Sequence, residues 1–532
     1  MQKKKTCLFL FLILIVGFFF RFWRLESLPP GVYPDEAING NDALKTLQIG
    51  DFKFFYPENN GREGVFIWLL ATSFYLFGPS VWSLKFIPAL TGLLTVFGLF
   101  LLTKELFSFK SEKENERLAL FSALFISVSF WHVNFSRIGF RAILLPAVLS
   151  FSFYFLWKGL HNLSRKNEKD HISFFLSGAI FGIGFYTYAS FRMAVFLLGI
   201  VLATEGMFYL KQKKIKLFLS SSLAFIFGLL LIALPLGIHF LNNPQYFVGR
   251  ASQVFFFNQP DPLKALVESI VLHLGMFNFY GDQNWRHNLP SSPQLCIPVG
   301  ILFLIGLAVS LKSFFRSINK KDWHAFNLNL FLFGWFGIML SPGFLTAEGI
   351  PHALRTIGVI PVTYIFASIG LLEIWKRLKR RINNEKTLRI IVLFFLVSII
   401  ILQGYKYFIK WGESQEAQGA FAKDFVEIGR YLNSLPPKTK TVVVVNRSGV
   451  PVPWPDGIPM PAQTVMFIEN TKFGKPRSLY VLPDNIVEIK ETVTPDVIVP
   501  LGYDEELLEK IGEIFPQGKV QVVNNKFLIY KL

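Results

Sequence analysis

Charged residues are scarce in this sequence. Only 17% of its 532 residues are Asp, Glu, Lys or Arg, whereas a soluble domain has about 25%. The deficit accompanies long uncharged runs that are rich in Phe, Leu and Ile. Since about 20 consecutive apolar residues cross the hydrocarbon core of a bilayer, most of the chain is predicted to be embedded in a membrane.

Cysteine and glycine signatures are also missing. The two cysteines, Cys7 and Cys296, lie in apolar stretches and make neither a disulfide framework nor a cysteine metal site. Walker and Rossmann glycine patterns are absent, so ATP-driven and nucleotide-sugar chemistry have no support. The net charge of +18 suggests nucleic acid in a soluble protein, but the Lys and Arg residues cluster between apolar runs. We therefore predict a lipid bilayer and no nucleic acid as a partner.

About eleven apolar runs are long enough to span a membrane, all within residues 1–410. The first, at about 7–25, follows a basic start and lacks a small-residue cleavage site, which predicts an uncleaved helix. Basic residues concentrate in alternate connections, including KSEKENER, KQKKIK and KRLKRRINNEK. Cytoplasmic loops carry such an excess, so the prediction is a multi-pass plasma-membrane protein with a cytoplasmic N-terminus.

Two segments are then expected outside the cytoplasm. The first outer loop, 26–79, contains an apolar stretch at 64–78 that predicts an interfacial helix. Residues 411–532 contain the short runs TVVVVN, QTVMFIEN, DVIVPL, KVQVVN and KFLIYKL, which alternate with helix-like stretches and predict a small α/β domain. The expected fold is an all-α polytopic membrane protein with a small C-terminal extracytoplasmic α/β domain.

Adjacent carboxylates open the first outer loop. Asp35 and Glu36 follow Pro34, and acids in the first turn of a helix also simply suit the helix dipole. Neighbouring helical residues do not face the same direction. Only one of the two is therefore expected to point into a given site.

Three arginines are placed at outer ends of predicted spans. Arg137 and Arg141 are four residues apart, so a helical turn would stack them, and Arg355 starts the tenth predicted span. One reading is a clamp for a lipid phosphate, since guanidinium grips phosphate through two hydrogen bonds. The other is snorkelling to lipid headgroups.

Two more polar groups occur at outer positions. The loop FNFYGDQNWRHNLP contains Asp282, Trp285, Arg286 and His287, a mixture that resembles a sugar-contacting surface but also suits any polar outer loop. His352 follows Glu348 in AEGIPHALR. Two candidate ligands do not make a metal site, so no cofactor is predicted and a divalent metal has weak support.

These residues together resemble the protein O-mannosyltransferase superfamily of C-type membrane glycosyltransferases, in particular its bacterial members that use polyprenyl-phosphate sugars. The resemblance covers roughly residues 7–375. It is carried by the strings PDEA, GPSVWSLKFIPALTGLLTVFGLFLLTKELF, WHVNFSRIGFRAILLP, GDQNWRHN and EGIPHALR.

The resemblance implies a function and a catalytic group. In that superfamily the acidic pair of the first outer loop supplies the catalytic carboxylate, whose first member matches Asp35. Many members have a Lys-Pro-Pro segment later in the loop; this chain has ENNGREGVF, where Arg62 is the candidate substitute. The implied reaction moves a sugar, a hexose such as mannose or a pentose, from polyprenyl phosphate to a hydroxyl of a lipid, glycan or protein, with inversion.

Other functions stay open at this point. An oligosaccharide ligase or polymerase with a diphosphate-linked donor has the same broad architecture. A transporter or flippase is disfavoured, because transporters place polar groups near the membrane midplane, whereas here they cluster at one face.

Overall fold

The computed structural model describes residues 2–166, 170–247, 255–382, 384–452 and 457–532. Helices dominate the first part of the chain. Those with bounds in the described residues are α1 (Gln2–Phe22), α2 (Pro34–Ile49), α3 (Val65–Phe77), α4 (Val81–Leu106), α5 (Glu112–Val128), α6 (Phe130–Phe135), α7 (Leu144–Lys166), α8 (His171–Gly184), α9 (Ala194–Lys211), α10 (Ile215–Asn242), α11 (Pro262–Gly275), α12 (Ile297–Lys320), α13 (Trp323–Phe344), α14 (Ile360–Arg381) and α15 (Glu385–Gly404), which a π-helical turn, Tyr405–Trp411, prolongs.

Nine helical stretches within the described residues are long and apolar enough to cross a membrane. The predicted multi-pass helical membrane fold is thereby confirmed. Two of the eleven predicted spans coincide with shorter helices. The predicted span at 117–133 falls on α5, which has 17 residues and a charged first half, and the span at 172–189 falls on α8, which has 14 residues.

The chain groups into two compact units. The first comprises Met1–Trp23, Pro88–Arg137 and Arg141–Trp411, and the second comprises Arg24–Ile87, Ile138–Phe140 and Gly412–Leu532. In the first unit α13 packs against α9 and α12, α12 packs against α14, and α8 packs against α7 and α10. Glycines allow some of these helices to approach closely; a Cβ at Gly306 of α12 would lie 1.8 Å from the Phe366 carbonyl of α14.

The second unit contains the small sheet that the sequence predicts. Its remaining elements are the hairpin β1 (Phe55–Tyr56) and β2 (Arg62–Glu63), α16 (Gln415–Ala420), α17 (Lys423–Ser434), β3 (Thr441–Val444), α18 (Ala462–Phe473), β4 (Leu479–Val481), α19 (Ile486–Thr492), β5 (Val497–Pro500), α20 (Glu505–Ile514), β6 (Lys519–Val523) and β7 (Phe527–Lys531). The five strands are ordered β4-β3-β5-β7-β6. Strands β3, β4 and β5 are parallel, and β7 is antiparallel to both β5 and β6.

One element of this unit differs from its prediction. The run QTVMFIEN reads as a strand because of Val465 and Ile468, but it lies in α18. All residues from Ala462 to Asn470 are buried, so no exposed face gives the run a helical period, and its packing outweighs the β-propensity of single residues. The boundary at residue 410 between a membrane domain and an outer domain stays a prediction. The Pro-rich segment 450–461 lies partly outside the described residues.

Candidate active site

Helix α2 begins at the acidic pair. Pro34 occupies its first position, where a missing N–H costs nothing. The carboxylate of Glu36 accepts the backbone N–H of Tyr33 at 3.1 Å, which satisfies one of the free N–H groups at the start of the helix. The helix ends at Ile49, and Gly50 follows with a left-handed φ of 72°.

Glu36 is fully buried and is held from several directions. Its Oε2 accepts the backbone N–H of Gly139 at 2.7 Å. Burial raises the pKa of Glu36, while the nearby Lys85 ammonium and the two backbone N–H groups oppose that rise. Lys85 itself donates to the carbonyls of Pro29 at 3.0 Å and Gly31 at 2.8 Å. Glu36 therefore joins α2 to the 138–140 turn.

Asp35 has a different environment. Its side chain is only half-buried, and its Oδ1 accepts a hydrogen bond from Asn59 Nδ2 at 3.0 Å. The two acids thus differ as the alternation along a helix requires: Glu36 points into the protein and Asp35 is the one that solvent reaches.

The hydrogen bonds of Arg62 all go to residues of the first outer loop. Its guanidinium bonds Asn39 Oδ1 at 3.0 Å and Asp42, and its Nε donates to the Glu58 carbonyl. With the side chain only 2% exposed, these contacts hold α2 against the hairpin. The donor contact predicted for Arg62 stays a prediction.

The rear of α2 packs against α18 within the second unit. Asn41 Nδ2 donates to Gln463 Oε1 at 2.8 Å, and Asn470 Nδ2 donates to Asn41 Oδ1 at 2.7 Å. Gly40 lies against the Phe467 ring, where an added Cβ would be 2.5 Å from a ring carbon. Three residues of the C-terminal part thus fix the helix that carries Asp35. The sequence reasoning missed these groups, because small and amide side chains give no signal until their partners are known.

The arginines of FSRIGFR are separated by an irregular turn. Helix α6 ends before Arg137, and Arg141 starts a 3₁₀ turn, Arg141–Ile143. The expected stacking on one helical turn is therefore wrong. Arg137 is fully buried and donates to the carbonyls of Phe20 at 2.8 Å and Trp23 at 2.7 Å, so it caps α1. Arg141 is half-buried, with its guanidinium 5.7 Å from the centre of the Tyr188 ring.

Arg355 follows a loop that ends at α14. It donates to Thr346 Oγ1 at 2.8 Å and to the Glu348 carbonyl at 2.6 Å, and it pairs with the Glu348 carboxylate at 3.2 Å. The Glu348 side chain is 59% exposed. Glu348 is therefore the partner of Arg355 and not of His352.

Asp282, His287 and His352 form a compact cluster in the first unit. Their candidate ligand atoms all lie within 4.8 Å of one another. His287 Nδ1 is 2.8 Å from Asp282 Oδ2, and the centres of the two imidazole rings are 4.9 Å apart. The sequence pairs His352 with Glu348 as metal-ligand candidates, but the acid that reaches His352 comes from 70 residues earlier in the chain.

Burial and nearby basic side chains lower the pKa of His352. Burial lowers the pKa of His352 well below its ordinary value, and the neighbouring His287, Arg355, His273 and Arg286 lower it further. His273, which the sequence reasoning missed, accepts the His352 backbone N–H at its Nε2. A neutral imidazole retains the lone pair that a metal ion or a proton requires.

Trp285 and Arg286 fix this loop through their backbones. The Trp285 carbonyl accepts from Trp411 Nε1 at 2.9 Å, and the Arg286 carbonyl accepts from Asn134 Nδ2 at 2.6 Å. Both side chains are half-buried. Of the predicted surface, Asp282 and His287 point inward instead, with less than 10% of their side chains exposed.

Part of the chain matches a known protein family. Residues 64–234 match the family model of dolichyl-phosphate-mannose-protein mannosyltransferases. A comparison with curated proteins finds no match. Among solved structures, ArnT from Cupriavidus metallidurans bound to undecaprenyl phosphate superposes with a TM-score of 0.61 at 13% identity, over 100% of this chain and 98% of ArnT.

This is the fold of the C-type glycosyltransferases. Apo ArnT from the same organism gives a TM-score of 0.57 at 12% identity, over 99% of this chain and 98% of ArnT. The oligosaccharyltransferase AglB from Archaeoglobus fulgidus, in complex with an inhibitory peptide and a dolichol-phosphate, gives 0.50 at 13% identity, over 99% of this chain and 74% of AglB. The resemblance that the sequence motifs carry and the predicted class, a membrane glycosyltransferase, are confirmed.

Proposed function

We propose that this C-type glycosyltransferase moves a sugar from a polyprenyl-phosphate donor to a hydroxyl group of a lipid, glycan or protein acceptor at the outer face of the membrane. The observation that carries the proposal is the family match over 64–234, together with the half-buried Asp35 carboxylate at the start of α2. The neighbours that bind undecaprenyl phosphate and dolichol-phosphate support a lipid-linked donor.

The proposed reaction is a direct displacement. Asp35 accepts the proton of the acceptor hydroxyl as its oxygen attacks the anomeric carbon, and the bond from that carbon to the phosphate oxygen breaks. The configuration inverts, and polyprenyl phosphate leaves. Asp35 suits the base role because solvent reaches it and because its hydrogen bond to Asn59 orients one carboxylate oxygen while leaving acceptor capacity on the other.

Phosphate needs charge stabilisation as it leaves, and it needs no proton. Arg141 and Arg355 are the proposed binders of the donor phosphate. Arg137 is less suited, because its two terminal nitrogens donate to the backbone carbonyls of Phe20 and Trp23. Arg355 would exchange the exposed Glu348 carboxylate for a phosphate, so one anion replaces another at the same guanidinium.

The test is transfer by the purified protein in proteoliposomes. A panel of polyprenyl-phosphate hexoses and pentoses is offered, and both released polyprenyl phosphate and the glycosylated fractions are measured. We expect release from at least one member of the panel, with an inverted anomeric configuration in the product. Consumption of diphosphate-linked oligosaccharides with no reaction of any monophosphate donor would identify a ligase or polymerase instead.

A further inference from the structure

The Asp282–His287–His352 cluster lies between two loops of the first unit. Asp282 and His287 belong to the segment after α11, and His352 belongs to the segment between α13 and α14. Asp282 and His287 are buried at 3% and 5% exposure. Three side chains with metal-binding atoms thus converge from two distant stretches of sequence.

The carboxylate of the cluster is fixed before any ligand arrives. Asp282 Oδ1 accepts the N–H of Asn284 at 2.8 Å, and Oδ2 accepts the N–H of Ala353 at 2.8 Å. Among the described ion pairs, the only one that Asp282 makes is with His287, at 2.8 Å, so no Lys or Arg of the described residues pairs with this carboxylate.

Second contacts hold the histidine segment as well. The N–H of His352 donates to His273 Nε2 at 3.0 Å, and His273 Nδ1 is 2.7 Å from the Ser269 carbonyl. The bond to Ser269 places the His273 proton on Nδ1 and leaves Nε2 as the acceptor. The backbone on both sides of the cluster is therefore anchored by partners outside it, as is usual around metal ligands.

The three candidate ligand atoms are spaced nearly as they would be around one bound ion. Zinc bonds His nitrogen and carboxylate oxygen at about 2.0–2.2 Å, which in a tetrahedron separates two ligand atoms by about 3.3 Å. The observed separations range from 2.8 Å for the Asp282–His287 pair to at most 4.8 Å. They bracket that value, so small side-chain movements bring all three atoms to one ion.

We propose that Asp282, His287 and His352 bind a Zn²⁺ ion that ties the loop after α11 to the loop before α14. Two imidazoles and one carboxylate form a ligand set that zinc accepts, and three protein ligands leave one coordination position open. The ion would also neutralise the buried Asp282 charge. This proposal does not depend on the identity of the sugar donor.

The test is metal binding by the full-length protein in detergent or nanodiscs. The protein is stripped with a chelator and titrated with Zn²⁺, followed by elemental analysis, and then with Co²⁺, whose visible absorption reports tetrahedral coordination. We expect about one metal ion per chain and a Zn²⁺-dependent rise in the unfolding temperature. His352→Gln should weaken binding by more than the 10- to 100-fold that loss of an outer-shell partner causes.

Glu348→Gln is the matched control, since it removes a carboxylate four residues from His352 that is outside the cluster. It should bind metal like the wild type. No metal uptake by the stripped wild-type protein, or equal uptake by His352→Gln, would overturn the proposal and leave a hydrogen-bonded Asp–His pair. If His352→Gln does not fold, Asp282→Asn takes its place, and the wild-type titration remains decisive by itself.

Discussion

Asp35 and Glu36 are neighbours in sequence, yet their surroundings suit different roles. Glu36 accepts two backbone N–H groups inside the protein, whereas Asp35 is half-buried and bonded to a single amide. A base must reach its substrate proton, so we propose the half-buried Asp35 as the base and the buried Glu36 as a positioning residue.

Asp35→Asn should therefore abolish most of the activity without loss of stability. It keeps the shape of the side chain but removes its proton affinity, and loss of a general base typically costs about 100- to 10,000-fold in rate. The measurement is turnover of a donor in proteoliposomes beside the unfolding temperature. Asp51→Asn, at an exposed position just after α2, is the control and should behave like the wild type.

Glu36→Gln should reduce stability more than turnover. An amide offers one acceptor oxygen and places an NH₂ group against a backbone donor, and a buried unsatisfied donor costs about 1–3 kcal/mol. We expect a lower unfolding temperature and a smaller loss of turnover than in Asp35→Asn. Full stability with no activity in Glu36→Gln, next to normal turnover in Asp35→Asn, would reverse the two roles.

Arginine substitutions separate phosphate binding from structural bonding. Arg141→Lys and Arg355→Lys are expected to insert normally, and at least one should lose transfer by tenfold or more, because Lys does not reproduce the bidentate fork. Kinetics over a range of donor concentrations give the measurement. Arg137→Lys should mainly lower stability, since its guanidinium bridges two carbonyls at the end of α1. Normal transfer by both other variants would remove the clamp from the mechanism.

For the site, the sequence supplies only the residue types and their order in the chain. They single out Asp35 and Arg355, and Asp282 with His287. They cannot reveal that Glu348 pairs with Arg355 while Asp282 reaches His352, because such a choice depends on how two loops fold against each other. The contacts of Lys85 could not be predicted for a related reason. Lys85 lies in an apolar run, and the carbonyl groups that it binds belong to another segment.

At the scale of elements, α2 depends on α18. The contact is close because Gly40 has no side chain: a Cβ there would overlap the Phe467 ring, which is fully buried. Amide bonds from Asn41 fix the register of the two helices. The C-terminal part of the chain therefore positions the helix that carries the candidate base.

Gly40→Ala should lower turnover by displacing α2, and Phe467→Leu in the same chain should restore part of it by removing the ring. Overpacking of this kind typically costs 1–3 kcal/mol. The readouts are turnover and hydrogen exchange of α2 in the full-length protein. Gln48→Ala, which removes a contact at the exposed edge of the same contact region, is the control. A fully active Gly40→Ala variant would show that α2 tolerates the shift.

Elements with a clear pattern were predictable, and those with uniform burial were not. The sequence alone shows the apolar runs of α4 and α10 and the β-branched runs of β3 and β5. Helix α18 does not, because it is buried on every side. Strand β4 has only three residues, too few for alternation to be recognised, and its pairing with β3 decides its conformation.

For the whole molecule, the number of membrane crossings is the quantity that remains to be measured. The sequence predicts about eleven crossings, and nine helical stretches among the described residues satisfy length and hydropathy. Both numbers are odd, so both place the chain termini on opposite sides of the membrane. An alkaline phosphatase fused after Leu532 is expected to be active in either case, and activity of a cytoplasm-only reporter there would contradict both.

The connection before α8 distinguishes the two counts. If α5 and α8 cross the membrane, His171 faces the cytoplasm, as the basic character of HNLSRKNEKD favours; if neither crosses, His171 faces outward. His171 is exposed, so a cysteine there is accessible to reagents. In a chain with Cys7 and Cys296 replaced by Ser, we expect His171→Cys to resist a membrane-impermeant maleimide in intact cells and to react after permeabilisation. Phe257→Cys, exposed in the predicted outer loop, should react without permeabilisation. Labelling of His171→Cys in intact cells would contradict the count of eleven, in which the Glu36–Gly139 hydrogen bond keeps the 138–140 turn on the same side of the membrane as α2.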